Sequence, residues 1–151
     1  MMNRIMFRSG EKDKKGFTLI ELLVVIAIIG ILATIVLASL NSARQRSRDA
    51  KRIADLRNLQ TAMDLFYDAA SPTVYPTAAQ GIAILVTNGY IPAAPVDPNG
   101  GAYTYGVAGN GLSYTIGATL ENTTHPALTT DIDTNPSNGV NCTDPVYCVK
   151  Q

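Results

Sequence analysis

Apolar residues fill the chain from Phe17 to Leu40 almost without interruption, as FTLIELLVVIAIIGILATIVLASL, twenty-four residues with Glu21 as the one charge. An α-helix over this run is about 36 Å long at 1.5 Å per residue, enough to cross a hydrocarbon layer of about 30 Å. A secretory signal peptide has a shorter apolar core, about 7–15 residues, and a small-residue cleavage site. Here Ala43 is preceded by Asn41 and Ser42, so that reading fits poorly. The remainder of the chain has too little apolar surface to bury the run as a core helix, and the pattern predicts a membrane span.

Behind Leu40 the pattern changes but no helix breaker appears until Pro72. Ile53, Leu56, Met63, Phe66, Tyr67 and Ala70 recur at intervals of three and four with Leu59 beside them, while the Arg residues of this stretch fall mostly elsewhere. That is an amphipathic helix, expected over 41–70 as a continuation of the membrane helix. Together the two halves would make a rod of about 80 Å. From Ser71 onward turn signals crowd in, including Ser71-Pro72, Tyr75-Pro76, Asp97-Pro98-Asn99-Gly100, Asn110-Gly111 and Asn138-Gly139. Between them Thr77–Thr87 reads as a short helix, and Ala102–Val107 and Leu112–Leu120 as strands joined by a Gly-Asn-Gly turn, with a third strand at Val146–Lys150. The predicted fold class is α+β: a long N-terminal helix whose rear half packs on a small antiparallel sheet, the head being 71–151.

Charge sharpens this division. The formal net charge is zero, yet eleven of the twelve Lys and Arg residues precede residue 58. From Ala69 onward Lys150 alone faces Asp97, Glu121, Asp131, Asp133 and Asp144, so the head is a poor phosphate binder and no nucleic acid is expected there. The basic run from Arg44 to Arg52 follows the span directly, where snorkelling to lipid headgroups accounts for it. Five cations flank each end of the span, so charge counting leaves its orientation open. Catalytic chemistry has no foothold: His125 precedes Pro126 in a Thr-rich stretch without a nucleophile motif, and neither a metal cluster nor a phosphate loop appears. Cys142 and Cys148 close a seven-residue ring if they pair, and cannot complete a tetrahedral zinc site alone. Asn122-Thr123-Thr124 and Asn141-Cys142-Thr143 match the glycosylation sequon, a pattern frequent by chance.

The sharpest signal is the junction Lys14-Lys15-Gly16-Phe17-Thr18-Leu19-Ile20-Glu21. A short basic leader ends in Gly, an aromatic follows, and a carboxylate stands four residues on within the apolar run. A carboxylate at the centre of a membrane costs up to about 3 kcal/mol and is seldom idle. Near a helix start it can also stay hydrated and gain from the N-terminal dipole. The junction resembles the prepilin motif of type IV pilins and type II secretion pseudopilins. The resemblance implies cleavage by a membrane peptidase between Gly16 and Phe17, removing a leader of residues 1–16, and N-methylation of Phe17. It also implies pairing of Glu21 with the N-terminus of a neighbouring subunit. The leader would lie inside and the head outside the inner membrane. The implied partners are identical and related pilin subunits, the prepilin peptidase/methyltransferase, an inner-membrane assembly platform and membrane lipid. Gly30, Ala33 and Thr34 would permit close helix approach in a filament core over 17–40.

A second resemblance covers the head. Asp64-Leu65-Phe66-Tyr67, Tyr75-Pro76-Thr77, Gln80-Gly81-Ile82, Gly89-Tyr90-Ile91 and Asp97-Pro98-Asn99-Gly100 are similar, in order and spacing, to the major pseudopilin of type II secretion. That family's C-terminal loop implies calcium as the candidate cofactor, and Asp131, Asp133 and Asn135 offer alternating oxygen ligands. Pro136 and Cys142 occupy the places of the glycine and closing glutamate of an EF-hand loop, and a solvated acidic turn is the simpler reading of the same residues. The cysteines resemble instead the disulfide-closed C-terminal loop of type IV pilins, which implies a Cys142–Cys148 bond. The function expected is structural: a subunit of a secretion pseudopilus, with a surface pilin for adhesion, motility or DNA uptake, or an anchored binding head, as alternatives.

Overall fold

The computed structural model describes residues 16–151. The expected leader therefore lies outside the described residues except for Gly16. The dominant element is helix α1, Leu19–Ala69. It opens on a reciprocal cap: the Glu21 backbone N–H donates to Thr18 Oγ1 at 3.2 Å, and Glu21 Oε2 accepts the Thr18 backbone N–H at 2.8 Å. Two of the donors orphaned at a helix start are thereby satisfied. The helix ends where Ser71-Pro72 removes a backbone donor and disfavours helical geometry in the residue before it. The chain divides into two compact units between Leu40 and Asn41.

In the first unit the helical residues 19–40 are exposed throughout, and the apolar window is 0% buried. This is the reverse of what a soluble helix does with Ile, Leu and Val.

In the second unit α1 has one dry face. Leu56, Leu59, Ala62 and Met63 are buried, with Ile53, Phe66 and Tyr67 packed against them. The opposing surface comes from a three-stranded antiparallel sheet in the order β1 (Thr104–Val107), β2 (Tyr114–Thr119), β3 (Val146–Lys150). Tyr114, Ile116 and Ala118 of the central strand join that core, and Tyr75 wedges between Tyr67 and Tyr114 with ring centroids 4.5 and 4.6 Å away. The alternate residues of β2 face the C-terminal loop, where Thr115 Oγ1 and Ser137 Oγ share a hydrogen bond of 2.8 Å. The loop lies close because Gly106 and Gly117 lack side chains. A Cβ on Gly106 would stand 2.1 Å from the Asn138 carbonyl oxygen, and one on Gly117 would stand 3.1 Å from Val140 Cγ1.

The helix expected over 77–87 is shorter than the sequence predicts. Thr77 and Gln80 form a cap, but Gly81 adopts φ 54°, and only Ala83–Thr87 (α2) is helical. Strands β1 and β2 begin two residues later than expected, and β3 occupies the predicted residues. A 3-10 turn, Pro126–Thr129, is capped by His125, whose Nδ1 accepts the Ala127 N–H at 3.1 Å.

Candidate functional site

The junction singled out by the sequence precedes α1 as an open segment. Gly16 is exposed, with no atom within 4 Å of where a Cβ would be, and Phe17 is 91% exposed. A peptide bond so placed is open to an enzyme on either side. Glu21 lies one turn in, and its Oε2 also accepts the Thr18 hydroxyl at 2.9 Å. Among the described residues no cation pairs with it. The carboxylate is thus held by its own helix start. Thr34 Oγ1 donates to the Ile31 carbonyl at 2.7 Å, so its hydroxyl is satisfied within the helix.

The basic run behind the span is not wholly a lipid-facing collar. Arg44 and Arg46 are exposed, but Arg52 is 2% exposed and Arg48 is half-buried, and both turn into the head. Arg52 forks onto Asp97, Nε to Oδ2 at 2.6 Å and one terminal nitrogen to Oδ1 at 2.9 Å. Its other terminal nitrogen reaches Asp49 at 2.8 Å and Glu121 at 3.0 Å. Arg48 pairs with Glu121 from the other side. Asp49, completely buried, accepts the backbone N–H groups of Glu121 and Asn122, both at 2.9 Å. The Arg48 guanidinium, with Arg52 and the Asn99 amide, holds the Glu121 carboxyl down to about 2. Arg52 likewise holds Asp97 below the ordinary carboxylate range. The network fastens the Asp97-Pro98 turn and the segment after β2 to α1. Apart from Asp49 and Arg52, which are three residues apart, its pairs to Asp97 and Glu121 span 45–73 residues, which helix periodicity does not reveal.

In the C-terminal loop Cys142 and Cys148 are joined by a disulfide, their Cα atoms 5.7 Å apart. With Val140 they form a small apolar cluster against Ile132 and Val146. Asp131, Asp133 and Asp144 converge here, each with a ligand atom within 4.8 Å of the others. The Cys148 N–H donates to Asp131 Oδ2 at 2.9 Å, while Asp131 Oδ1 is shielded from solvent without a hydrogen-bond partner. Burial, reinforced by Asp133 and Asp144, pushes the Asp131 carboxyl up. Three hard oxygen donors, one with an unsatisfied lone pair, fit a calcium ion. Asp144 enters this set although the sequence reading passed it over, and Asn135 is an exposed residue of the same loop.

Residues 12–37 match the family described as the prokaryotic N-terminal methylation motif. The chain is 34% identical over 122 residues to the type II secretion system core protein G of Vibrio cholerae serotype O1, covering 71% of this chain and 82% of that one. Its identity to the core protein G of Escherichia coli K12 is 34% over 109 residues, 64% of this chain and 73% of the relative. With that of Pseudomonas aeruginosa it is 31% over 124 residues, covering 72% and 86%. No solved structure matches the chain. A methylation motif at the head of an exposed apolar helix, an α+β head and these identities lead to one conclusion: the chain belongs to the family of type II secretion system core protein G, the major pseudopilins.

Proposed function

We propose that the chain is a structural subunit of a type II secretion pseudopilus. A prepilin peptidase cuts between Gly16 and Phe17 and methylates the new amino terminus, and residues 17–40 hold the product in the inner membrane with the head outside. Assembly then transfers the apolar helix from lipid into a filament core, where Glu21 exchanges its Thr18 contacts for the N-terminal ammonium of a neighbour. The observation that carries this reading is the wholly exposed apolar helix over 19–40, with a single carboxylate at its start. Such a surface is stable only in lipid or against copies of itself. Co-expression with a prepilin peptidase tests the first step. The wild-type chain should lose its leader and Gly16→Leu should remain whole; equal processing of both, or of neither, contradicts the assignment.

A second reading concerns the C-terminal loop. We infer that Asp131, Asp133 and Asp144, with Asn135 as a further oxygen donor, hold calcium, which would neutralise the repulsion among the three carboxylates and tie the loop to β3. Supporting this is the unpartnered, shielded Asp131 Oδ1. Calcium at a hundred times its Kd should stabilise the detergent-solubilised chain by about 2.7 kcal/mol. Asp144→Asn should remove most of that gain. An unfolding midpoint unmoved by millimolar calcium rules the site out.

A further inference from the structure

The three carboxylates of the C-terminal loop arrive on two stretches of chain. Asp131 and Asp133 belong to the segment that follows the turn Pro126–Thr129, and Asp144 to the turn that enters β3. Both stretches meet on the small apolar cluster of Val140, Cys142 and Cys148. Ile132, between two of the acids, and Val146, two residues beyond the third, pack against that cluster. Its sulfurs are dry: Cys142 is 0% and Cys148 1% exposed, and a Cβ on Gly117 would stand 3.2 Å from Cys148 Sγ. Cys148 also holds Asp131 directly, through the backbone N–H that donates to Oδ2 at 2.9 Å. Asp144 rides inside the ring that the disulfide closes. All three acids therefore stand on the disulfide or on side chains packed against it.

We infer that the Cys142–Cys148 disulfide is a positioning element of the calcium site, so that calcium affinity and the redox state of the two cysteines are coupled. The inference rests on the calcium reading above. Three carboxylates with ligand atoms within 4.8 Å of one another repel, and that repulsion opposes their convergence. The Asp144 turn stays on the sheet whatever the sulfurs do, because the Leu120 N–H donates to the Pro145 carbonyl at 2.9 Å. What the dithiol sets free is the segment bearing Asp131 and Asp133. The disulfide fixes that segment before the ion arrives, so the oxidised loop spends no binding energy on ordering itself. Such coupling is reciprocal: the factor by which the bond raises calcium affinity is the factor by which calcium favours the bond. Reduction by a dithiol is a two-electron exchange. A reductant thiolate attacks one sulfur, the S–S bond breaks, Cys142 and Cys148 take up the two protons, and the reductant closes to its own disulfide. In an extracytoplasmic head the cysteines are oxidised, and the site is completed only after the head has crossed the membrane.

The test is calcium titration calorimetry on the detergent-solubilised full chain, both oxidised and as the Cys142→Ser/Cys148→Ser variant. Near-UV circular dichroism of the packed Tyr67, Tyr75 and Tyr114 rings reports that the core is folded. The oxidised chain should bind calcium about tenfold more tightly than the folded variant. A second measurement needs no cysteine variant. The ratio of reduced to oxidised dithiothreitol that leaves half of the disulfide reduced should rise about tenfold in saturating calcium, and Asp144→Asn should cancel most of that rise. Equal calcium affinity with and without the bond overturns the inference while leaving the calcium reading standing. So does a reduction midpoint that calcium fails to move in an oxidised chain that binds the ion. A core that melts once the bond is reduced also overturns it, since the disulfide would then staple the head as a whole. An oxidised chain that binds no calcium removes both readings.

Discussion

Residues 19–40 and residues 41–69 belong to the same helix and spend apolar side chains in opposite ways. The front stretch is apolar but for Glu21, Thr34 and Ser39 and exposed throughout, whereas the rear stretch buries the stripe Leu56, Leu59, Ala62 and Met63, together with the paired Asp49 and Arg52. A helix needs an apolar stripe to fold against its own chain. One that is apolar all round needs a different solvent or a different chain. The difference separates what stabilises the subunit from what assembles it, and substitutions should respect that boundary.

The sharpest way to break the comparison is to attack the buried charges. Asp49→Ala strips Arg52 of a partner and leaves two backbone N–H groups unpaired. Removing one member of a buried pair costs about 3–5 kcal/mol, so thermal unfolding of the solubilised chain should show a loss of that size. Leu59→Ala should cost about 2–5 kcal/mol by the same measurement. Ile29→Ala should leave head stability within about 0.5 kcal/mol, because that side chain belongs to the first unit and is exposed there. Equal effects at positions 29 and 59 would erase the distinction.

Smaller effects refine it. Cys142→Ser with Cys148→Ser opens a short ring, and the head should lose about 2 kcal/mol, visible as a lower denaturant midpoint. Thr18→Ala removes the reciprocal cap on Glu21 and should loosen the first turn of α1 by about 1 kcal/mol, seen as faster amide exchange at residues 19–22. Acid should weaken the ion pairs of the head. Glu121 is depressed from 4.5 to about 2 in the folded chain, so the stability it contributes is complete above pH 4.5 and is lost as pH falls towards 2. Glu121→Gln should flatten the unfolding curve across that window.

Most of the architecture was legible because it is written in local periodicity: an unbroken apolar run, then spacings of three and four, then short strands between Gly and Pro turns. The comparisons bear out the family read at Gly16-Phe17 and along the head. What the sequence hid are contacts made across distance. Arg48 and Arg52 follow a membrane span, where headgroup contact explains a cation as well as an ion pair does. Only the fold shows Asp97 and Glu121 brought to them by chain 45–73 residues away. Asp144 escaped notice because the ring closed by Cys142 and Cys148 is what carries it to Asp131 and Asp133. Gly81, read as a helix residue, takes a positive φ and cuts α2 short.

The central claim is that residues 19–40 leave lipid to become the inside of a filament, after a cut at Gly16. The most direct test is the intact mass and N-terminal residue of the protein recovered from a sheared filament fraction of cells carrying the secretion machinery. The account predicts a chain beginning at N-methylated Phe17. A chain that still carries the residues before Phe17, confined to the membrane fraction beside a competent peptidase, would contradict it.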